Sequence, residues 1–161
     1  MPERTAVPVH ESRASLVRLM TPGDANFAGN VFGGQILSEV DKVAYVSATR
    51  HSKTNCVTAS FDRVDFHCPV HVGDVVEFTA TLTYVGRTSM EVWVRVNAEA
   101  LSGGEARPVG QAFVTLVAID QDGRPVSVPR LALESTEERT RFEQGRERME
   151  ERKRLRAGGR N

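Results

Sequence analysis

The sequence predicts an α+β domain: one long helix followed by four long strands, which form an antiparallel sheet curled around it. Three observations carry this. From Gly34 the apolar residues recur at a helical period; after Asn55 the period drops to two and stays there as far as Ile119. The strand-like stretches are separated by short turn signals rather than by further helices. No run approaches the ~18 apolar residues that a membrane-spanning helix needs.

Taken in chain order, residues 1–12 are polar and contain two prolines; they are expected to form a flexible segment. The domain proper is expected over residues 13–133. It opens with a short strand, "ASLVRLM" (14–20), which ends at the turn signal Thr21-Pro22-Gly23-Asp24. In the helix that follows, Ile36, Leu37, Val40, Ala44, Ser47 and Ala48 fall on one arc with Val43 beside it, while Glu39 and Lys42 fall outside it. Arg50 and His51 close the helix, where positive charge suits the dipole. "VTASFDRVDFHCPV" then changes phase once, which predicts a β-bulge near Asp62-Arg63. "VVEFTATLTY" places Val76, Phe78, Ala80, Leu82 and Tyr84 on one face, and "EVWVRVNAEA" repeats the alternation from Val92 to Ala100. "QAFVTLVAID" is apolar on both faces, as a strand covered twice should be. Trp93, Phe113 and Val117 are left for the outer face of the sheet, whose edges also need cover, and both point to a dimer.

From Glu134 to Arg156, 15 of 23 residues are charged, with mixed sign. A solvated helix with internal ion pairs is expected over this tail, 134–161, and its removal is expected to spare the chemistry.

Composition narrows the function classes. With 21 basic and 21 acidic residues the formal net charge is zero, so no global field argues for nucleic acid or an anionic membrane as partner. The first residues lack the apolar core of a secretory signal. Cys56 and Cys68 form no disulfide framework, and a reducing cytoplasm is the expected compartment. "HCPVH" lacks the second ligand cluster of a metal site, so no metal is expected. "GNVFGGQ" is neither a P-loop nor a dinucleotide loop, and no Gly-x-Ser-x-Gly elbow exists.

What remains is a constellation around the helix start. Gly33 and Gly34 stand where backbone N–H groups have no internal partners, and the lack of side chains would let an oxygen gaining negative charge approach. A tight turn or close packing explains the glycines equally well. Asp41 lies two turns further on, at the edge of the apolar arc. A solvent-facing carboxylate is the common meaning of such a residue. A helix wrapped by a sheet has little open surface, however, which would put this acid near a subunit boundary, suited to general-base work. Asn26 either bonds its own turn or orients a water or carbonyl. At the hairpin "VGRTSM", Arg87, Thr88 and Ser89 form either a plain turn or a grip for phosphate or an amide chain.

With these residues in view, the stretches "DANFAGNVFGGQILSEVDKVAYVSATRH", "VTASFDRVDFHCPVHVGDVVEFTATLTYVGRTSMEVWVRV" and "FVTLVAIDQDGRPVSVP" resemble the hotdog-fold acyl-CoA thioesterases of the broad-range, cytosolic acyl-CoA hydrolase group. The likeness runs from about Met20 to Pro129. It implies a central helix wrapped by a sheet of about five strands, and a dimer with two shared sites, commonly assembled further into a trimer of dimers. It implies hydrolysis of fatty acyl-CoA to free acid and CoA, with no separate cofactor. In each site Asn26 of one protomer would work with Asp41 of the other, the latter as base or as nucleophile. The Gly34 N–H would polarise the carbonyl, and CoA would lie near Gly33, Arg87, Thr88 and Ser89, with basic residues at its phosphates. The competing expectation is a non-catalytic module that binds or senses acyl-CoA or an acyl carrier on the same fold.

Overall fold

A computed structural model describes residues 4–159. In chain order the elements are β1 (Ala6–Pro8), β2 (Ala14–Leu19), α1 (Gly33–Ser52), β3 (Asn55–Phe66), β4 (Asp74–Val85), β5 (Ser89–Ala100), β6 (Arg107–Ile119), β7 (Arg130–Ala132) and α2 (Thr136–Gly158). β2 to β6 form one antiparallel sheet in the order β2-β4-β5-β6-β3, and α1 packs on its inner face. This is the helix-in-sheet arrangement expected of a hotdog fold; the sheet is not closed. No helix among the described residues is long and apolar enough to cross a membrane.

The core follows from the two periods. On α1, Ile36, Val40, Val43, Ala44 and Ala48 are buried. They meet cross-strand rows such as Ala80–Val94–Ala112 and Leu82–Val92–Val114, all buried. Burying each valine, leucine or isoleucine among them contributes about 1.5–3 kcal/mol. Three details of the helix differ from the sequence pattern. Leu37 is only half-buried. Glu39 is 5% exposed, because Arg18 of β2 meets its Oε1 at 2.6 Å and Lys42 follows at 3.2 Å. His51 is buried and its ring Nε2 bonds the Pro129 carbonyl at 2.9 Å. Burial holds its pKa below the ordinary value, against the pull of that carbonyl and with help from Lys53, so it is a neutral anchor rather than a C-terminal charge.

The expected bulge is present: β3 shifts register against β6 between Asp62 and Asp65, and Arg63 takes a left-handed φ of 48°. β4 carries another that the sequence did not announce, between Leu82 and Tyr84. It turns Tyr84 to the outer face, away from Leu82, where its ring lies 5.0 Å from Phe142 of α2.

Two terminal expectations are corrected. Residues 1–3 lie outside the described residues, but residues 6–12 are ordered: β1 pairs parallel with β7, and the short turn Val9–Ser12 buries Val9 and Ser12. The tail is helical, capped by the Ser135 side chain, which accepts from the Glu138 N–H at 3.1 Å; residues 160–161 are outside the described range. This helix is not simply solvated. Glu91 of β5, 0% exposed, receives a bidentate grip from Arg148 at 2.8 and 3.0 Å and a bond from Thr83. A Cβ on Gly145 would stand 2.7 Å from that of Tyr84, so only glycine lets α2 approach this closely. α2 therefore covers Trp93 and Phe113, over which Arg141 and Arg148 stack, and its removal would strand a buried carboxylate.

Candidate active site

The loop before α1 is built around a buried acid. Thr21 opens a capping box: Asp24 Oδ2 accepts from the Thr21 N–H at 2.8 Å and from its hydroxyl at 2.9 Å, while Oδ1 meets Arg18 at 2.7 Å. Those N–H and charge contacts, the Thr21 backbone bond foremost, hold the Asp24 carboxyl below the usual range despite its burial. Arg18 thus bridges β2, the loop and, through Glu39, the helix. Asp74 anchors the facing loop. Burial would raise its pKa, but the His71 N–H and Arg107, 2.7 Å away, outweigh that.

On this frame Asn26 is exposed and its Oδ1 accepts from the Ala28 and Asn30 N–H groups at 2.9 and 3.2 Å. The turn-forming role is therefore real, and the Nδ2 amide has no partner among the described residues. Gly33 and Gly34 begin α1, and as its first two residues their N–H groups have no helical partners. The two glycines differ. A Cβ on Gly33 would touch Phe66 at 3.5 Å, so close packing accounts for it; a Cβ on Gly34 would meet nothing within 4 Å. Beside them opens a cavity of about 380 Å³ lined by Gly33, Ile36, Phe66, Cys68 and Val109 among others.

Asp41 is half-buried, and its Oδ1 accepts from the Thr58 hydroxyl of β3 at 2.6 Å. Thr58 has no signature of its own, because a threonine on an alternating strand is ordinary; only the packing of α1 along β3 reveals it. That packing runs antiparallel, with Gly33 beside Phe66, Asp41 beside Thr58 and the Tyr45 hydroxyl bonded to Asn55 at 2.9 Å.

Not all the expected residues come together in one chain. Asn26, Gly33 and Gly34 share the loop and helix start. Asp41 is seven residues beyond Gly34, about 10 Å along the axis. Arg87, Thr88 and Ser89 form the β4–β5 hairpin, whose Ser89 lies in the cross-strand row of Val117 and Val57, toward the Asn55 end of β3. Arg4 and the Val128 N–H bond the backbone of this hairpin, the guanidinium meeting the Gly86 carbonyl at 2.8 Å. Gly33 and Gly34 therefore lie toward the Phe66 end of β3, and Asp41 and the hairpin toward its Asn55 end.

β3 is an edge strand, twelve residues long, with no strand beyond it among the described residues. Exposed apolar side chains lie on the strand itself, Val57, Phe61 and Phe66, and beside its ends: Tyr45, whose hydroxyl bonds Asn55, and Phe32, next to the Gly33 that packs on Phe66.

Comparison with known proteins gives the family. The sequence profile described as thioesterase superfamily matches residues 28–102. An uncharacterized acyl-CoA thioester hydrolase of Bacillus subtilis is 41% identical over 80% of this chain and 74% of its own. The cytosolic acyl coenzyme A thioester hydrolase of Rattus norvegicus is 37% identical over 93% of this chain; the chain spans about 40% of that relative's length. Among solved structures, an acyl-CoA hydrolase from Bacillus cereus is 42% identical at a TM-score of 0.89, covering 96% of this chain and 94% of that one. An acyl-CoA hydrolase from Staphylococcus aureus is 30% identical at a TM-score of 0.90, covering 97% and 93%. The chain belongs to the thioesterase superfamily, among its acyl-CoA thioester hydrolases.

Proposed function

We propose that the protein hydrolyses the thioester of fatty acyl-CoA to free acid and CoA, in sites completed by two copies of the chain. The observation that carries this reading is the Asp41–Thr58 pair at 2.6 Å, about 10 Å of helix away from the open Gly34 N–H. One carbonyl cannot reach both within a single chain. An antiparallel, two-fold pairing of β3 with its copy would bring the Phe66 end of one protomer to the Asn55 end of the other, which sets Asp41 of one against Gly34 of its partner. The exposed apolar residues around β3 supply the surface such pairing would bury.

In this site Asp41 takes a proton from water as the oxygen attacks the carbonyl carbon. The thioester oxygen gains the negative charge and is held by the Gly34 N–H. Collapse of this intermediate expels the CoA sulfur, which recovers the proton from Asp41. Direct attack by the Asp41 carboxylate, followed by hydrolysis of the anhydride, uses the same groups. Asn26 orients the water or the carbonyl through its Nδ2 amide, and Thr58 fixes the carboxylate. CoA runs past Gly33 toward Arg87, Thr88 and Ser89; it is part of the substrate, and the reading includes no other cofactor and no metal.

Support comes from the S. aureus hydrolase. Its structures include one with butyryl-CoA and CoA, and variants with an asparagine, an aspartate or a threonine replaced by alanine; these stand 15 and then 17 residues apart, as Asn26, Asp41 and Thr58 do here. A hexameric acyl-CoA thioesterase, 40% identical with a TM-score of 0.90, supports assembly beyond the dimer. The cytoplasm is the proposed compartment, in keeping with the free cysteines and the cytosolic relative.

The test follows thiol release from acyl-CoA of increasing chain length. Asp41→Ala and Asn26→Ala should each lower turnover at least ~10²-fold while the oligomer persists. Near-normal turnover in the Asp41 variant removes the mechanism, and no thiol release by the unaltered protein leaves only the binding module.

A further inference from the structure

β3 is held in place by means its neighbours do not need. Cys56 is the one buried residue of its twelve. A strand that buries so little has a weakly specified register, yet Thr58 must arrive opposite Asp41. Two residues on, Ser60 accepts from Arg152 of α2 at 2.9 Å, on the other side of the sheet from α1. In an unbroken strand residues 58 and 60 would share a face. The register shift between them makes Ala59 the extra residue and sends the two side chains to opposite helices. Asp62 then pairs with Arg152 at 3.0 Å and accepts from the Ser60 hydroxyl at 3.2 Å, just before the second shift at Arg63. The same guanidinium donates to Thr115 of β6. Its other terminal nitrogen is buried with no partner among the described residues, a cost left unrelieved to keep this geometry.

We propose that Arg152 is a positioning residue: it clamps the twice-bulged segment of β3 to β6, sets its phase, and so delivers Thr58 to Asp41. The proposal rests on Asp41 acting in hydrolysis. It makes the charged tail a working part of the site. Arg152 is not what docks α2, because the Glu91–Arg148 grip, Phe142 and Met149 do that independently.

The experiment compares Arg152→Ala, Arg152→Lys and Asp62→Ala with Arg146→Ala, whose pair with Glu143 is exposed on the same helix. Turnover, thermal unfolding and amide hydrogen exchange are read on the intact oligomer. Arg152→Ala should lower kcat at least about tenfold, toward the ~10²-fold that an ångström of misplacement costs, with KM within about twofold. Residues 58–62 should exchange faster while α2 keeps its protection. Arg152→Lys, which keeps a charge for Asp62 on a shorter side chain, should recover part of kcat. Asp62→Ala removes the clamp from the strand side and should repeat the loss even where Arg152→Ala folds poorly; Arg146→Ala should change nothing. Unaltered kcat in folded Arg152→Ala and Asp62→Ala overturns the proposal, as does unaltered exchange at 58–62. Asp41→Ala is run alongside: turnover retained there sinks the functional reading, whereas exchange at 58–62 still decides whether the clamp exists.

Discussion

β5 and β3 are both twelve residues long and both lie against β6, yet they are fixed by different physics. β5 sits at the centre of the sheet. Val92, Val94 and Val96 are buried under α1, Glu91 is buried under α2, and a one-residue slip would push a row of valines into a polar layer. β3 sits at the edge, interrupted twice, with its side chains mostly exposed and its place set by hydroxyls and carboxylates. The difference teaches where this domain keeps its stability and where it keeps its chemistry. The inner strands are specified by burial, and admit a polar group such as Glu91 only where Arg148 and Thr83 satisfy it. The edge strand is specified by directional bonds, which can also serve a reaction.

This contrast can be broken at several points. The largest effect on stability should come from Arg148→Ala, which leaves the Glu91 carboxylate buried without its counter-charge. About 3–5 kcal/mol of unfolding free energy should be lost in denaturant titration. Thr58→Val should instead act mainly on turnover. Loss of one bond at an exposed edge should cost roughly 1 kcal/mol or less, while thiol release should fall at least about tenfold because Asp41 is no longer held.

Mild acid probes the base of α1. His51 is buried and its folded pKa lies below the ordinary value of 6.5, so below that pH the unfolded chain takes up a proton that the folded chain refuses. Stability should be full above about pH 6.5 and decline as pH falls through it. A second decline should begin near pH 4, where Asp24 and Asp74, held below their ordinary value of 3.8, are protonated first in the unfolded chain. His51→Gln should flatten the first decline and leave the second. The smallest effect belongs to Arg146→Ala, whose exposed ion pair with Glu143 should be worth within about 0.5 kcal/mol in the same titration.

Much of the fold was legible because burial writes a period into the chain. The alternation in β4 and β5 and the phase change at Asp62-Arg63 are direct readings of faces and of a bulge. Tyr84 was assigned to the wrong face because the bulge before it leaves no mark in polarity: Thr83 and Tyr84 both fit either side. Glu39 and His51 were misjudged because pairing partners from β2 and the β7 approach, far along the chain, decide whether a polar group may be buried. The tail's polarity concealed its docking, since arginines and a glycine, with Phe142 and Met149 as isolated apolar contacts, seat it rather than a continuous hydrophobic stripe. At the site, Asn26, Gly34 and Asp41 stood out as a combination around the helix start, whereas Thr58 and Arg152 look like ordinary strand and surface residues until the bulge turns Thr58 and Ser60 to opposite helices.

The central claim is that the acid of one protomer completes the helix-start site of another, and mixing two inactive variants tests it most directly. Asn26→Ala and Asp41→Ala chains, unfolded together and reassembled, form mixed pairs in which one site carries both changes and the other carries neither. Activity should return to about a quarter of the unaltered protein's, from half the pairs with one of two sites intact. If each site is built within one chain, every site in the mixture stays damaged, and a mixture no more active than its components would contradict the account.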